Sequence, residues 1–487
     1  MVHAWKACVQ KCTSGSNPDL SDMAQMLYTK HSMNPVRSGR KQRQLNCFGD
    51  LVYLGLFIFL NIIKNKGGSM KYFLIAFYAA TIFHFVLNHI LEFIDYRARV
   101  KNGDSVPEEL EGFVDSDQIK KTVAYENAKY FYWLPLSVCM LSLNLGLVYF
   151  GYYSSIFNWL QKVVPNVYGN SILFLILAGL PSAVIEIPFD LYHTFGIEKK
   201  FGFNTMTFGT WLLDNIKGLI LNAIIMLPLL CLVILIFQKM WQWWWIMVAA
   251  VLIIFSLGLS YIYPKFISPI FNKFTPLENQ DLLAKLTALL ERTGFKASGI
   301  YQMDASKRSK HSNAYFTGFG KNKQIVLYDT LLQQLDDEEI CAVLAHELGH
   351  YKKKHIIKRM LISISLEFIG AFVLSFILNR PALYENFGFA VNPELLKNYA
   401  IAGVFLISIV VEGFSDITGL ISNTSSRRDE FQADSFSAQL IGSGKPLASS
   451  LIKLNKENLS EFTPPKIYSI FKYNHPPLLE RIRNILK

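Results

Sequence analysis

Seven stretches of about 20 mostly apolar residues recur along this chain, and they limit its fold more than any other feature, since a helix needs about that length to cross a bilayer. The predicted spans are residues 72–93, 131–152, 168–190, 216–237, 244–263, 356–378 and 399–421. Inside a bilayer the backbone must satisfy its own hydrogen bonds, so such spans form helices. The sequence therefore predicts a mainly α, multi-spanning membrane helix bundle and excludes a disordered or purely soluble protein.

The charge of the chain fits a membrane partner better than a nucleic acid. Only 17% of residues are charged, yet the net charge is +11. The basic residues cluster beside the spans, as at Arg97, Arg99 and Lys101 or at Lys352–Lys354. Loops on the cytoplasmic side of a membrane have this composition, because anionic headgroups attract them. We therefore expect a lipid bilayer, and no nucleic acid, as partner.

The first 69 residues leave two interpretations open. Residues 1–47 are polar and basic and predict a mostly disordered arm. With seven spans from residue 72, the basic connections 94–130, 191–215 and 264–355 share the cytoplasmic side with the C-terminal tail, and the arm would lie on the other side. Either Phe48–Ile63 is an eighth membrane helix, which returns the arm to the cytoplasm, or Met70 is the true start.

Two regions are polar enough to fold in water. They are residues 264–355 and 422–487, and they alternate with the membrane regions 48–263 and 356–421. Strand-like runs at Ala314–Phe319 and Gln324–Tyr328 predict a hairpin. Acidic residues at Asp336–Glu339 then predict the start of a long helix, where they would cap free amides and complement the helix dipole. The two polar regions together predict an α+β domain.

That helix contains the sequence HExxH at His346–His350. Two histidines four residues apart lie on one helical face and can bind one zinc ion. Glu347 lies beside them, where it can accept a proton from the attacking water. The alternative, two solvated histidines on a polar face, is disfavoured by the capped helix start and by apolar neighbours such as Leu344 and Leu348.

A second pair of residues can supply the third zinc ligand that the HExxH motif lacks. Catalytic zinc generally takes three protein ligands, and Glu430 and Asp434 lie one helical turn apart just after the last span. Glu430 can be the third ligand, and Asp434 can hold the imidazole N–H of His346. His350 precedes the sixth span by about 9 Å of helix. The site is therefore expected at the membrane surface, where it suits a substrate attached to lipid.

In these motifs the chain resembles the CAAX prenyl protease 1 family of integral-membrane gluzincin metalloproteases. The resemblance covers residues 70–487. It rests on five motifs in the family's order, namely His346–His350, Glu430–Asp434, Ser312–Phe316, Phe195–Asn204 and Asn474–Arg481. It implies seven membrane helices enclosing a chamber, a zincin-like protease domain at its cytoplasmic end, one zinc ion per chain, and removal of the last three residues of a prenylated CAAX protein.

The resemblance also implies roles for single residues. His346, His350 and Glu430 match the zinc ligands and Glu347 the general base. Asn313 and Ala314 match an edge strand that pairs with extended substrate backbone, a common way to hold a peptide. His475 matches a histidine near the metal, for which we expect oxyanion stabilisation, although it can also be a helix-start residue ahead of two prolines. Arg481 is expected to support the site from behind.

Alternative functions remain at this stage. A quality-control metalloprotease of the same clan would need no prenyl group, and a non-catalytic chambered protein would only bind or transport. The intact set of ligands and base favours an enzyme, and the seven spans favour the prenyl protease. In a eukaryote the resemblance implies the endoplasmic reticulum and also the inner nuclear membrane, and in a bacterium the inner membrane. The active site would face the cytoplasm, and a monomer is compatible with the sequence.

Overall fold

The computed structural model describes residues 71–317 and 323–487. The basic arm at 1–47, the segment Phe48–Ile63 and Met70 lie outside the described residues, as do residues 318–322 of the predicted hairpin. Both interpretations of the N-terminal region therefore stay predictions.

Within the described residues, seven helices are long and apolar enough to cross a membrane, as predicted. All but the last are longer than their predicted apolar run. The second begins at Ser116, where the Asp115 side chain accepts a hydrogen bond from the Gln118 amide at 2.7 Å. The extension of the second span remains helical because its apolar residues, such as Ile119 and Tyr125, pack into clusters with the soluble domain. The seven spans are Tyr72–Asn102, Ser116–Tyr149, Val167–Glu198, Phe208–Lys239, Trp244–Phe271, His355–Leu378 and Pro393–Glu412.

The helices and strands are numbered here in chain order. The α-helices are α1 (Tyr72–Asn102), α2 (Ser116–Tyr149), α3 (Tyr152–Val163), α4 (Val167–Tyr192), α5 (Phe208–Lys239), α6 (Trp244–Ile262), α7 (Ser268–Phe271), α8 (Gln280–Thr293), α9 (Asp329–Gln334), α10 (Asp337–Lys352), α11 (His355–Leu378), α12 (Pro381–Asn386), α13 (Ala400–Glu412), α14 (Ser415–Ile441), α15 (Lys445–Glu457), α16 (Lys466–Lys472) and α17 (Leu478–Ile485). Two π-helical turns, His193–Glu198 and Tyr263–Ile267, prolong α4 and α6.

Most of the membrane helices bury little of their apolar surface inside the protein. Of the seven spans in the described residues, five bury at most 17% of their most apolar window. These five spans therefore leave most of that window exposed.

A four-stranded sheet forms the base of the soluble domain. Its strands are β1 (Phe274–Pro276), β2 (Gly299–Met303), β3 (Ala314–Thr317) and β4 (Gln324–Tyr328), in the order β1-β2-β4-β3. β3 and β4 are antiparallel, with Ala314 opposite Leu327, as the predicted hairpin requires. β3 is an edge strand. On one face of the sheet, α8 and α10 pack over Ile300 and Ile325 and form the main core with them.

The start and end of α10 follow from local sequence. Asp336 and Glu339 form a reciprocal capping box, as the acidic cluster predicted. The helix ends at Lys352, and Lys354 takes a left-handed conformation with φ 57° before α11 begins at His355. The HExxH helix and the sixth span are thus separate helices joined by a sharp bend.

The last span ends earlier than predicted. The prediction placed it at 399–421, but the helix ends at Glu412 and α14 begins at Ser415. The chain bends at Gly413, where a Cβ would lie 2.6 Å from the backbone carbon of Ala80 on α1. The apolar pattern continues through this bend, so hydropathy alone does not reveal it. The third predicted ligand therefore lies on a helix of its own.

Candidate metal centre

Two helices, α10 and α14, approach closely and bring the predicted ligands together. A Cβ on Gly349 would lie 2.9 Å from the Cα of Ala433. The approach is therefore possible only because residue 349 has no side chain. The predicted ligands flank this contact, with His346 and His350 on α10 and Glu430 on α14.

The three ligand groups lie at the corners of a triangle, here called the ligand triangle, whose sides are measured between nearest atoms, with a different oxygen of Glu430 facing each histidine. His346 Nε2 lies 3.3 Å from His350 Nε2 and 3.4 Å from Glu430 Oε2. His350 Nε2 lies 3.3 Å from Glu430 Oε1. Two ligands about 2.05 Å from a tetrahedral zinc ion would be about 3.3 Å apart. The spacing of the three groups therefore fits a tetrahedral zinc site with a fourth position open.

The chemistry of this triangle also fits a cation. Glu430 is only 3% exposed, and its Oε2 accepts no hydrogen bond of regular geometry from any described residue. Burying a carboxylate beside two imidazole nitrogens is unfavourable unless positive charge compensates it. Together the three groups can hold a metal ion.

His346 is supported from behind by Asp434 and Arg481. Asp434 is fully buried, and its Oδ1 lies 2.9 Å from His346 Nδ1. Arg481 on α17 donates to both oxygens of Asp434, at 2.6 and 3.0 Å. With Nδ1–H bonded to Asp434, His346 would offer the lone pair of Nε2 to a metal ion that displaces the proton there. The structure thus brings Asp434 and Arg481 together behind His346, and their supporting role stays a prediction.

The pKa values of these groups reflect the same arrangement. Burial alone would lower the pKa of His346, but hydrogen bonds to Asp434 and Glu430 raise it to about 9. Burial opposes ionisation of Glu430, yet the close rings of His346, His350 and His475 hold its pKa well below the usual range. For Asp434, too, bonds from His346 and Arg481 overcome burial and lower the pKa. These contacts therefore keep the carboxylates of Glu430 and Asp434 ionised around a positive charge.

His350 has a support that the sequence did not predict. His355 is buried, and its Nδ1 lies 3.0 Å from His350 Nδ1. The other ring nitrogen faces Gln432 Oε1 at 3.4 Å and Asp429 Oδ1 at 3.6 Å. Arg359 in turn donates to Asp429 at 2.9 and 3.1 Å. The available signals were a third histidine five residues after His350 and an acidic residue directly before Glu430.

Glu347, the predicted base, and His475 are both at least partly exposed. Glu347 is partly exposed on α10. The negative charge of Glu347 also acts on Arg481. Burial opposes the charged form of Arg481, but Asp434, Glu430 and Glu347 together raise the pKa of Arg481. His475 lies between α16 and α17, with its Nδ1 2.9 Å from Glu430 Oε2 and its side chain 56% exposed. His475 therefore contacts the site, although it also stands just before the start of α17.

Arg427 holds the segment that carries His475. It lies on α14 one turn before Glu430, and one of its nitrogens donates to the carbonyls of Ser469, Ile470 and Tyr473 at 3.0, 3.0 and 2.8 Å. These bonds add a donor to carbonyls at and just after the end of α16, where a helix leaves its last carbonyls short of partners within the helix. The helix that presents Glu430 thus also fixes the chain leading to His475.

The edge strand β3 directs alternate backbone groups away from the sheet. The Asn313 carbonyl accepts a hydrogen bond from Tyr328 N at 3.1 Å, so Asn313 faces β4. Because backbone groups alternate along an antiparallel strand, those of Ala314 and Phe316 point to the open edge. The Ala314 amide donates to the Asn313 side chain at 2.8 Å. β3 also packs with α10 in the main core.

Sequence profiles of known families match nearly all of the described chain. Residues 95–273 match the profile described as CAAX prenyl protease N-terminal, five membrane helices. Residues 276–487 match peptidase family M48. The boundary between the two matches falls where the last of the first five spans meets the soluble domain.

Individual proteins give the same result. The chain is 37% identical over 390 residues to the CAAX prenyl protease 1 homolog of Arabidopsis thaliana, covering 78% of this chain and 90% of that protein. It is 33% identical over 427 residues to the Homo sapiens homolog, covering 79% and 89%. The crystal structure of S. mikatae Ste24p has a TM-score of 0.78 at 31% identity, covering 85% of this chain and 99% of that one.

Proposed function

The chain belongs to peptidase family M48, among the CAAX prenyl protease 1 proteins, and from that membership we propose that it removes the C-terminal tripeptide from prenylated CAAX proteins with one bound zinc ion. Membership and the seven spans make it an integral-membrane metalloprotease. The observation that carries the proposal is the triangle of His346, His350 and Glu430, with sides of 3.3–3.4 Å.

In the proposed mechanism these three residues hold the zinc ion. When bound there, zinc supplies Lewis acidity and lowers the pKa of water, so that water attacks at neutral pH. Glu347 accepts the proton of the attacking water and delivers it to the leaving amine nitrogen. Asp434 and Arg481 keep His346 in the tautomer that binds metal.

Two further elements act on the substrate. The outward backbone groups of Ala314 and Phe316 pair with the extended peptide and set its register. His475, on the exposed side of Glu430, donates a hydrogen bond to the oxygen that becomes negatively charged during attack. Cleavage then needs the peptide to lie between β3 and the triangle.

The position of the site relative to the membrane supports a lipid-linked substrate. α10 ends three residues before the sixth span begins, and α14 begins three residues after the seventh ends. Basic residues at Lys352–Lys354 follow the HExxH motif directly, and under the positive-inside rule they support a site on the cytoplasmic side. In a eukaryotic cell the corresponding membrane is that of the endoplasmic reticulum.

The decisive experiment is mass spectrometry of a farnesylated CAAX peptide incubated with the purified protein. Loss of the last three residues is expected, together with one zinc ion per chain. Glu347→Gln should retain zinc and lose cleavage by at least about 100-fold, the lower range for a general base. Full activity of Glu347→Gln would remove this residue from the mechanism.

Two control results separate the alternatives. Equal cleavage of the unprenylated peptide would favour a quality-control protease that does not need the prenyl group. Zinc binding without cleavage of either peptide would favour a binding or transport protein. His346→Ala and Glu430→Ala should each lower zinc occupancy, and unchanged metal content would remove that residue from the ligand set.

A further inference from the structure

The motif Phe195–Asn204 has no role in the mechanism described so far, yet it contacts the chain just before the edge strand. The motif begins in the π-helical turn that prolongs α4, and its residue Glu198 ends the third span. Lys310 N donates to Phe203 O at 3.1 Å, and Thr205 N donates to Arg308 O at 3.3 Å. Segment 203–205 therefore lies alongside segment 308–310, four residues before β3.

The side chain of Glu198 continues this contact. Its Oε2 lies 3.3 Å from His311 Nε2, and its Oε1 accepts a hydrogen bond from the Tyr125 hydroxyl at 2.6 Å. The His311 ring stacks on Phe203, with centroids 4.0 Å apart and planes at 16°. His311 thus contacts Glu198 at the end of the third span and Phe203 of the motif. Tyr125 on α2 in turn binds Glu198.

The second nitrogen of His311 is held as well. Its Nδ1 lies 2.9 Å from Asn458 Oδ1, which also accepts from Ser312 N at 3.3 Å. Both ring nitrogens face acceptor oxygens, so the doubly protonated ring satisfies both. Burial alone would lower the pKa of His311, but the bonds to Glu198 and Asn458 raise it.

The backbone around His311 is fixed from the opposite side. Thr330 Oγ1 donates to His311 O at 3.1 Å, and Ser312 Oγ donates to Gln334 Oε1 at 2.6 Å. Both partners follow β4 on α9. Residues 311 and 312 are therefore anchored to the end of the third span, to Asn458 at the end of α15 and to α9, directly before the strand at Ala314.

We propose that Glu198 and His311 are a positioning pair that fixes the edge strand relative to the end of the third span, and thereby sets the register of the bound peptide. This inference rests on the proposed function, because it takes β3 as the strand that holds the substrate. Neither residue is a ligand or a base. Loss of the pair should therefore weaken peptide binding and loosen the cleavage position without changing the metal.

The test compares Glu198→Gln and His311→Gln with the matched control Lys199→Gln, which changes an exposed charge in the same turn. We first expect faster amide hydrogen exchange in residues 309–317 of both pair variants, with α10 unchanged. Unchanged exchange in 309–317 would overturn the proposal whatever the activity of the protein.

The second measurement is steady-state cleavage of the farnesylated peptide. We expect KM to rise on the order of tenfold in Glu198→Gln, the usual effect of losing a charge-assisted hydrogen bond, with kcat within about twofold. The double variant should be no worse than either single variant, because the pair acts as a unit. Mass spectrometry should also detect cleavage at a neighbouring bond.

The outcomes separate the pair from the proposed function. An unchanged KM with faster exchange would show that the strand does not hold substrate, and the positioning role would be wrong. Loss of zinc from Glu198→Gln would point to a general folding defect and would also overturn it. If the unmodified protein cleaves no prenylated peptide, the proposed function fails, while the exchange data still decide whether the pair fixes the strand.

Discussion

Replacing Gly349 with alanine should push the two ligand helices apart and weaken metal binding. The new Cβ would lie 2.9 Å from Ala433 Cα, 3.1 Å from Ala433 O and 3.2 Å from Phe436 Cβ. Carbon atoms in contact are normally about 3.5–4.0 Å apart. Because two of the near atoms belong to the backbone, α10 and α14 must separate by roughly 0.6–1.1 Å.

That displacement is large compared with what a zinc site tolerates. Two sides of the ligand triangle join α10 to Glu430, and both would lengthen from 3.3–3.4 Å. Metal–ligand distances are usually held within about 0.2 Å. We expect zinc affinity to fall by about 10–100-fold, as for other disturbances of ligand orientation, and overpacking to cost about 1–3 kcal/mol of stability.

Chelator competition measures the zinc affinity, and thermal unfolding in detergent measures the stability. The control is Gly419→Ala on α14, where a Cβ would meet nothing within 4 Å. A helical glycine of that kind should gain about 0.5–1 kcal/mol on replacement by alanine. If Gly349→Ala binds zinc as tightly as the unmodified protein, the close approach of the helices does not set the geometry of the site.

Two further predictions concern the metal and its supports. Removing the metal with a chelator should lower the unfolding temperature, because zinc at 100 times its Kd contributes about 2.7 kcal/mol to the free energy of unfolding. Added zinc should restore the unfolding temperature. An unchanged transition would argue against a metal in this site. His355→Ala should lower zinc affinity about 10–100-fold, since it removes the partner of His350 Nδ1. Lys353→Ala, an exposed change in the same bend, is its control, and equal affinities in the two variants would contradict the role of His355.

Features that depend on local sequence were predictable. Length and apolar character define a membrane span, so all seven were found. The capping box at Asp336 and Glu339 marks the start of α10 from a few residues. Two histidines one turn apart share a helical face whatever surrounds them. Glu430 could be paired with them because its own motif follows a span so closely.

Features that depend on contacts between distant segments were not predictable. His355 reaches His350 only because the chain bends at Lys354, and no periodic pattern encodes that bend. The end of the last span at Gly413 depends on the nearness of Ala80. In each case a single backbone conformation or close approach determines where a helix ends or which residues meet. Hydropathy averaged over many residues does not reveal such a local feature.

The hydrogen bond from the Ala314 amide to the Asn313 side chain has a consequence for how a peptide is recruited. An open sheet edge invites pairing with any extended chain, and this amide is already satisfied. An arriving backbone must exchange one hydrogen bond for another, with little net gain. Under the proposed function the edge would order a peptide that is already tethered nearby. Substrate selectivity would then depend on the group that tethers the peptide near the site. Unfolded proteins without such a tether would not be cleaved.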